Sequence, residues 1–168
     1  MGMYDALGIA PELLEYVEYT PLEDWIIRVL RPILGPHGIS VHPQIPDEPE
    51  LPLVLPRRLA SFGSYDGDPR GLLDRYRFAV HVYVDNPNAD QKAAVYSEII
   101  RSILVKAGRS GWFDPELGAI TRITMIEAPN RSSDWATSQG PVQYADLPVG
   151  VQRYETHYHL TARPPSTQ

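Results

Sequence analysis

Apolar positions in this chain recur with two periods, and the switch between them divides it into elements. Leu22, Trp25, Ile26, Val29, Leu30 and Ile33 follow the i, i+3, i+4, i+7, i+8, i+11 spacing, which is one face of a helix. Thr20-Pro21-Leu22-Glu23 stands ahead of them in the form of a capping box, with threonine at the N-cap, proline at N1 and glutamate at N3. Pro32 removes a donor near the end, and Gly35-Pro36 stops the helix. Tyr96, Ile99, Ile100, Ile103, Leu104 and Ala107 repeat the same spacing. Asn88 offers an N-cap there, Gln91 sits at N3, and Gly108 is placed to close the helix at C′. Each stripe is wide enough to cover a sheet.

Elsewhere the period is two. Tyr76, Phe78, Val80, Val82 and Val84 alternate with Arg75, Arg77, Ala79, His81, Tyr83 and Asp85, which predicts a half-buried strand over 73–85. Residues 151–163 predict another, with Tyr154, Thr156, Tyr158, Leu160 and Ala162 on one face. Residues 118–128 form a third, whose imperfect alternation is expected where a bulge intervenes. Ile39 to Gln44 is a short strand candidate. Leu51 to Phe62 reads as a strand that contains Pro52 and Pro56, so it belongs at an edge or carries a break. The stretches 63–71 and 129–149 read as loops, and a loop as long as the second is usually functional or disordered.

Strands in hairpin-like succession with only two helices predict an α+β fold: a mainly antiparallel sheet with two helices packed on one face. Residues 1–19 are expected to be an arm, 20–163 a single domain, and 164–168 a tail.

Composition narrows the chemistry. The chain of 168 residues has no cysteine, so disulfides and thiolate metal sites are excluded. No apolar run approaches the roughly 20 residues needed to span a bilayer, and Met1 to Ala10 lack the form of a secretory leader, so no membrane partner is expected. The net charge is −6 and Lys92 and Lys106 are the only lysines. With arginines scattered along the sequence, specific nucleic-acid binding is not expected. Proline, 17 of 168 residues, is about twice as frequent as average, which suggests rigid, shaped connections.

Catalytic signatures are lacking. There is no G-x-S-x-G and no phosphate-binding glycine loop. His157 and His159 form an H-x-H pair, and His81 lies on the polar face of its own strand, so three imidazoles could converge on a metal. A solvated histidine face without a metal is the competing reading and the one preferred here. Asp66 and Asp68 read as a turn, and Asp47, Glu48 and Glu50 as a solvated acidic rim. No cofactor and no catalytic residue is expected. The aromatics off the periodic elements carry more information. Trp112 and Phe113 are expected to pack against the end of the second helix. Trp135 and Tyr144, in the 129–149 loop, are either tucked into the surface or serve as anchors for a partner. With Arg131 and Asp134 these residues are the candidate protein contacts.

Several phrases, taken in order, resemble the tail terminator proteins of long-tailed bacteriophages, particularly those infecting actinobacteria. They are Thr20-Pro-Leu-Glu-Asp-Trp opening a helix, Leu51-Pro-Leu-Val-Leu-Pro-Arg-Arg leading a strand, and Asp74-Arg-Tyr-Arg-Phe-Ala-Val-His-Val-Tyr-Val before a helix. Gly140-Pro and the closing strand Val151-Gln-Arg-Tyr-Glu-Thr-His-Tyr-His-Leu-Thr-Ala-Arg complete the set. The resemblance implies a structural, non-enzymatic subunit of the virion, assembled in the host cytoplasm. Such a subunit forms a ring, in this family a hexamer, on the end of the tail tube. It stops tube polymerisation and presents a surface to the head–tail connector or stopper. DNA passes through the ring without specific binding. The alternatives are a head-completion or stopper protein of the neck or, from a different class, a small-ligand or metal-binding α+β protein using the histidine face.

Overall fold

Period-two alternation puts a long central strand at the middle of the molecule. In the computed structural model, which describes residues 8–14, 20–64, 73–132 and 150–165, β3 (Asp74–Val84) runs antiparallel to both β2 (Leu53–Ser64) and β6 (Gln152–Arg163). Outside β2 lies the short β1 (Ser40–Val41), and outside β6 lie β5 (Gly118–Arg131) and β4 (Phe113–Asp114). The six-stranded order is β1-β2-β3-β6-β5-β4. Only β1 and β2 are parallel, and the other neighbours are antiparallel. The helices are α1 (Pro11–Leu14), a single turn, α2 (Leu22–Leu34) and α3 (Ala89–Ser110). The fold class is α+β.

Both long helices bury their stripes against one face of the sheet. Leu22, Trp25, Ile26, Val29 and Leu30 of α2 and Ala93, Ile100 and Leu104 of α3 share a core with Tyr76, Phe78, Val80, Val82, Tyr158 and Leu160. Phe78 and Tyr158, neighbours across the β3–β6 register, stack with ring centroids 5.2 Å apart. Two stripe positions depart from expectation. Ile33 is 48% exposed while Leu34 is buried. The helix leaves the sheet there: Gly35–His37 tightens into a 3-10 turn, and the Ile39 N–H donates to Leu34 O, folding Leu34 in with Ile39 and Val41. Ile99 is 41% exposed, because α3 turns Ala93, Ser97, Ile100, Leu104 and Ala107 inward instead.

The helix ends also differ from the sequence reading. Pro21 is the N-cap of α2 and no side chain caps it. Glu23 therefore sits at N2 and turns to β2, where its carboxylate accepts from the Arg58 N–H (3.1 Å) and guanidinium (3.3 Å). Asn88 likewise makes no side-chain cap. Gly108 lies inside α3, and Gly111, at φ +64°, ends the helix. The role of Gly108 is clearance: a Cβ there would lie 2.5 Å from the backbone nitrogen of Ile123.

Pro56 fits its strand for a reason of direction. Pro52 O accepts from Ser40, Val54 O from His42, and Arg58 N–H donates to Glu23. Positions 52, 54, 56 and 58 thus turn their backbone groups to the outer side of β2. The missing N–H of Pro56 faces outward, where the ladder needs none.

Candidate assembly surface

The residues singled out for protein contacts separate in space. Asp134, Trp135 and Tyr144 lie outside the described residues. Arg131 belongs to strand β5, not to a loop. It stands opposite Tyr154, and its guanidinium lies 3.6 Å from Asp90 at the start of α3. Strand alternation parts Trp112 from Phe113. The Trp112 ring turns in and meets Trp25 edge-on, centroids 6.1 Å apart, while the backbone N–H of Trp112 donates to Ala107 O at the end of α3. Phe113, in β4, turns out and is 65% exposed. It does not pack on the helix as its neighbour does. Arg28 of α2 holds this segment, reaching Asp114 (3.4 Å) and Glu116 (2.5 Å).

The second face of the sheet is not uniformly solvated. At one end Leu53, Leu55 and Tyr83 form a small core, covered by Ile45, Leu51 and Val151. His81 lies beside it and is 4% exposed, so the expected polar, solvated position is wrong for this residue. Burial lowers its pKa to about 4, against the opposing pull of Glu155, and the imidazole is neutral at pH 7. Glu155 feels burial pushing upward. The hydrogen bond from His157 and the charges of His81, His157 and Arg153 overcome it and hold the carboxyl below its ordinary value. His157 sits between two carboxylates, Glu155 at 2.6 Å and Glu127 at 2.7 Å. His159 is exposed, and its pKa is lowered by partial burial and by Arg77 and Arg75. The three histidines therefore do not converge. His81 and His157 share Glu155, while His159 belongs to the arginines. Among the described residues no group of three or more His, Asp or Glu is placed to hold a metal.

What the sequence reading missed is a cationic cluster at the other end. Register places Arg75, Thr161 and Arg122 side by side across β3, β6 and β5, with Arg163 next along β6. The C-terminal half of α3 adds Lys106 and Arg109. They line a groove of about 1130 Å³ between α3 and β5, with Arg101, Glu98, Arg122 and Thr124. Arg101 pairs with Glu98 at 3.0 Å. Lys106, Arg109, Arg122 and Arg163 are exposed and make no ion pair among the described residues. The sequence carries half the signal: Lys106 and Arg109 are three apart on one helix, so they share a face. The other half is strand pairing between β5 and β6, which no local pattern reports.

Beside this groove runs an edge that is largely uncovered among the described residues. Only Gly118 and Ala119 of β5 pair with β4, and beyond the Ile120 N–H bond to Trp112 O no strand among the described residues borders Thr121–Arg131 on that side. Exposed Ile126 lies on this edge, and Val95 and Ile99 stand one turn apart on the outside of α3. No protein-family model and no curated protein matches the chain.

Proposed function

We propose that this chain is a phage tail terminator subunit: it rings the end of the tail tube, stops its growth and offers the face to which the head connector binds. The reading begins from the resemblance in element order and phrasing. The observation that carries it further is the outer edge of β5, a long strand that exposes Ile126 and that no strand among the described residues covers beyond Ala119. Long open edges are liabilities in a subunit that stays alone, and they suit one that is covered on assembly.

The mechanism is occupancy of an interface. A tube of stacked rings grows by a contact that does not close, so it extends until its end is covered. A terminating ring matches the tube on one side and presents a different surface on the other. Its subunits meet head to tail, one patch against a different one, which closes into a ring when the rotation allows. The net charge of −6 suits a ring through which DNA slides, since the overall field opposes phosphate binding.

The test is electron microscopy of tails assembled with and without the protein. Overlong tails lacking heads in its absence, and normal joined tails on its return, are the expected result. Tails of normal length that fail to join heads would assign it instead to the neck as a stopper. Normal, joined tails in its absence would overturn both readings.

A further inference from the structure

Among the described residues, two groups of exposed charges without ion pairs stand at opposite ends of the sheet. Lys106, Arg109 and Arg122 line the groove at one end of the sheet, and Arg163 stands at the same end on the face turned away from the helices. Asp47, Glu48 and Glu50 gather near the other, exposed and with no ion pair among the described residues. The acidic loop is built to stay where it is. Pro46 and Pro49 restrict its backbone, and Ile45 and Leu51 on either side pack onto Leu53, Leu55 and Tyr83.

Arg75, level with Arg122, and Tyr83, level with Leu53, are eight residues apart on β3, a rise of roughly 26 Å. The screening length at physiological salt is about 8 Å. The two clusters are therefore too far apart to neutralise each other within one subunit. They can do so between subunits.

We propose that the basic groove between α3 and β5 receives the acidic 46–50 loop of a second copy of this chain. This rests on the ring reading and names the two surfaces that would meet in it. The contact is heterologous: each copy offers its loop to one neighbour and its groove to the other, so a chain of such contacts closes into a ring when the rotation per subunit divides a circle. Charge complementarity of this kind sets partner and register, and like-charge juxtaposition opposes wrong pairings.

The experiment uses two charge-reversed full-length chains, K106E/R109E/R122E and D47K/E48K/E50K. All six sites are exposed; circular dichroism confirms folding, and the milder K106Q/R109Q/R122Q stands in if the first variant does not fold. Association is followed by light scattering and sedimentation, free and with tail tubes added. Each variant alone should lose self-association by at least about tenfold. An equimolar mixture should regain it, because reversed groove meets reversed loop and native groove meets native loop in alternation. One chain carrying all six changes should regain it as well.

A direct check uses the absence of cysteine from the chain. Glu48→Cys with Arg109→Cys should yield a ladder of covalent oligomers on oxidation, and neither alone should pass a dimer. Rings that form regardless of both reversals would overturn this contact and leave the terminator reading standing. So would a basic-groove variant that still forms rings but fails to dock on the tube, since the groove would then serve another protein. A wild-type chain that stays monomeric in solution and on tubes would overturn the ring itself.

Discussion

Gly108 shows how one atom can decide helix placement. In an exposed helix interior, alanine is better than glycine by about 1 kcal/mol. Here a Cβ would meet Ile123 N at 2.5 Å, its Cβ at 3.0 Å and its Cα at 3.2 Å. Backbone cannot yield as a flexible side chain does, so α3 would have to lift from β5. Gly108→Ala should therefore destabilise by about 1–3 kcal/mol in denaturant unfolding; a gain in stability would show that the helix has room. Gly118 is held more tightly, at φ +105° with a would-be Cβ 2.2 Å from Arg163 O. His81 makes a different prediction, in pH. Its pKa falls from 6.5 to about 4 through burial, so between those values the unfolded chain binds more protons than the folded one. Stability should then drop as pH falls from about 6.5 to about 4, by up to roughly 3 kcal/mol. Glu155, whose folded pKa is also depressed, adds loss in the same direction at lower pH. Unfolding measured at pH 7 and pH 5 should show the His81 portion vanish in His81→Leu; an unchanged slope would place the loss elsewhere.

Each long helix has a stripe that the sequence predicts and an orientation that packing adjusts. Trp25→Ala should cost about 3–5 kcal/mol, since the ring is fully enclosed and also meets Trp112. Ile33→Ala, on the same predicted stripe but 48% exposed, should change stability by less than about 0.5 kcal/mol. Equal losses at the two sites would mean that α2 is rotated from the arrangement described. The two sheet edges differ in how they are finished. On β2, β1 covers two positions, Pro56 has no donor, and Glu23 accepts from Arg58. On β5, β4 covers two positions, and among the described residues the rest of the edge carries only three register shifts and Pro129. Those shifts explain the broken alternation of 118–128, and the strand they bend reaches Arg131, past the expected end. The stretch 129–149, expected from the sequence to be a loop and carrying Asp134, Trp135 and Tyr144 outside the described residues, is proposed as an assembly element. Replacing residues 133–144 with a short Gly/Ser linker should preserve circular dichroism and weaken ring formation or tube docking; joined tails of normal length would show the loop to be dispensable.

The proposed contact between copies carries a dependence on salt. Raising ionic strength from 0.05 to 0.5 M should weaken self-association, because exposed charges a few ångströms apart lose most of their attraction as the screening length shrinks. Association that strengthens with salt would point to the apolar side chains Val95, Ile99 and Ile126 as the dominant contact. The α+β class, both helices and the central strand were legible because each depends on local period: 3.6 for a helical face, two for a strand. Charge at Asp47, Glu48 and Glu50 was legible too, because a proline-rich acidic turn has nowhere to go but the surface. Neither the burial of His81 nor the gathering of Lys106, Arg109, Arg122 and Arg163 could be read that way. His81 sits at a polar-face position like any other, but it lies opposite Leu55 and stacks on Tyr83, two members of a small core that Ile45 and Leu51, thirty or more residues away in sequence, pack against. The cations come from one helix and two strands whose adjacency is set by register. Period is a property of neighbours along the chain, whereas burial and clustering are properties of neighbours in space, and those exist only after the strands have paired.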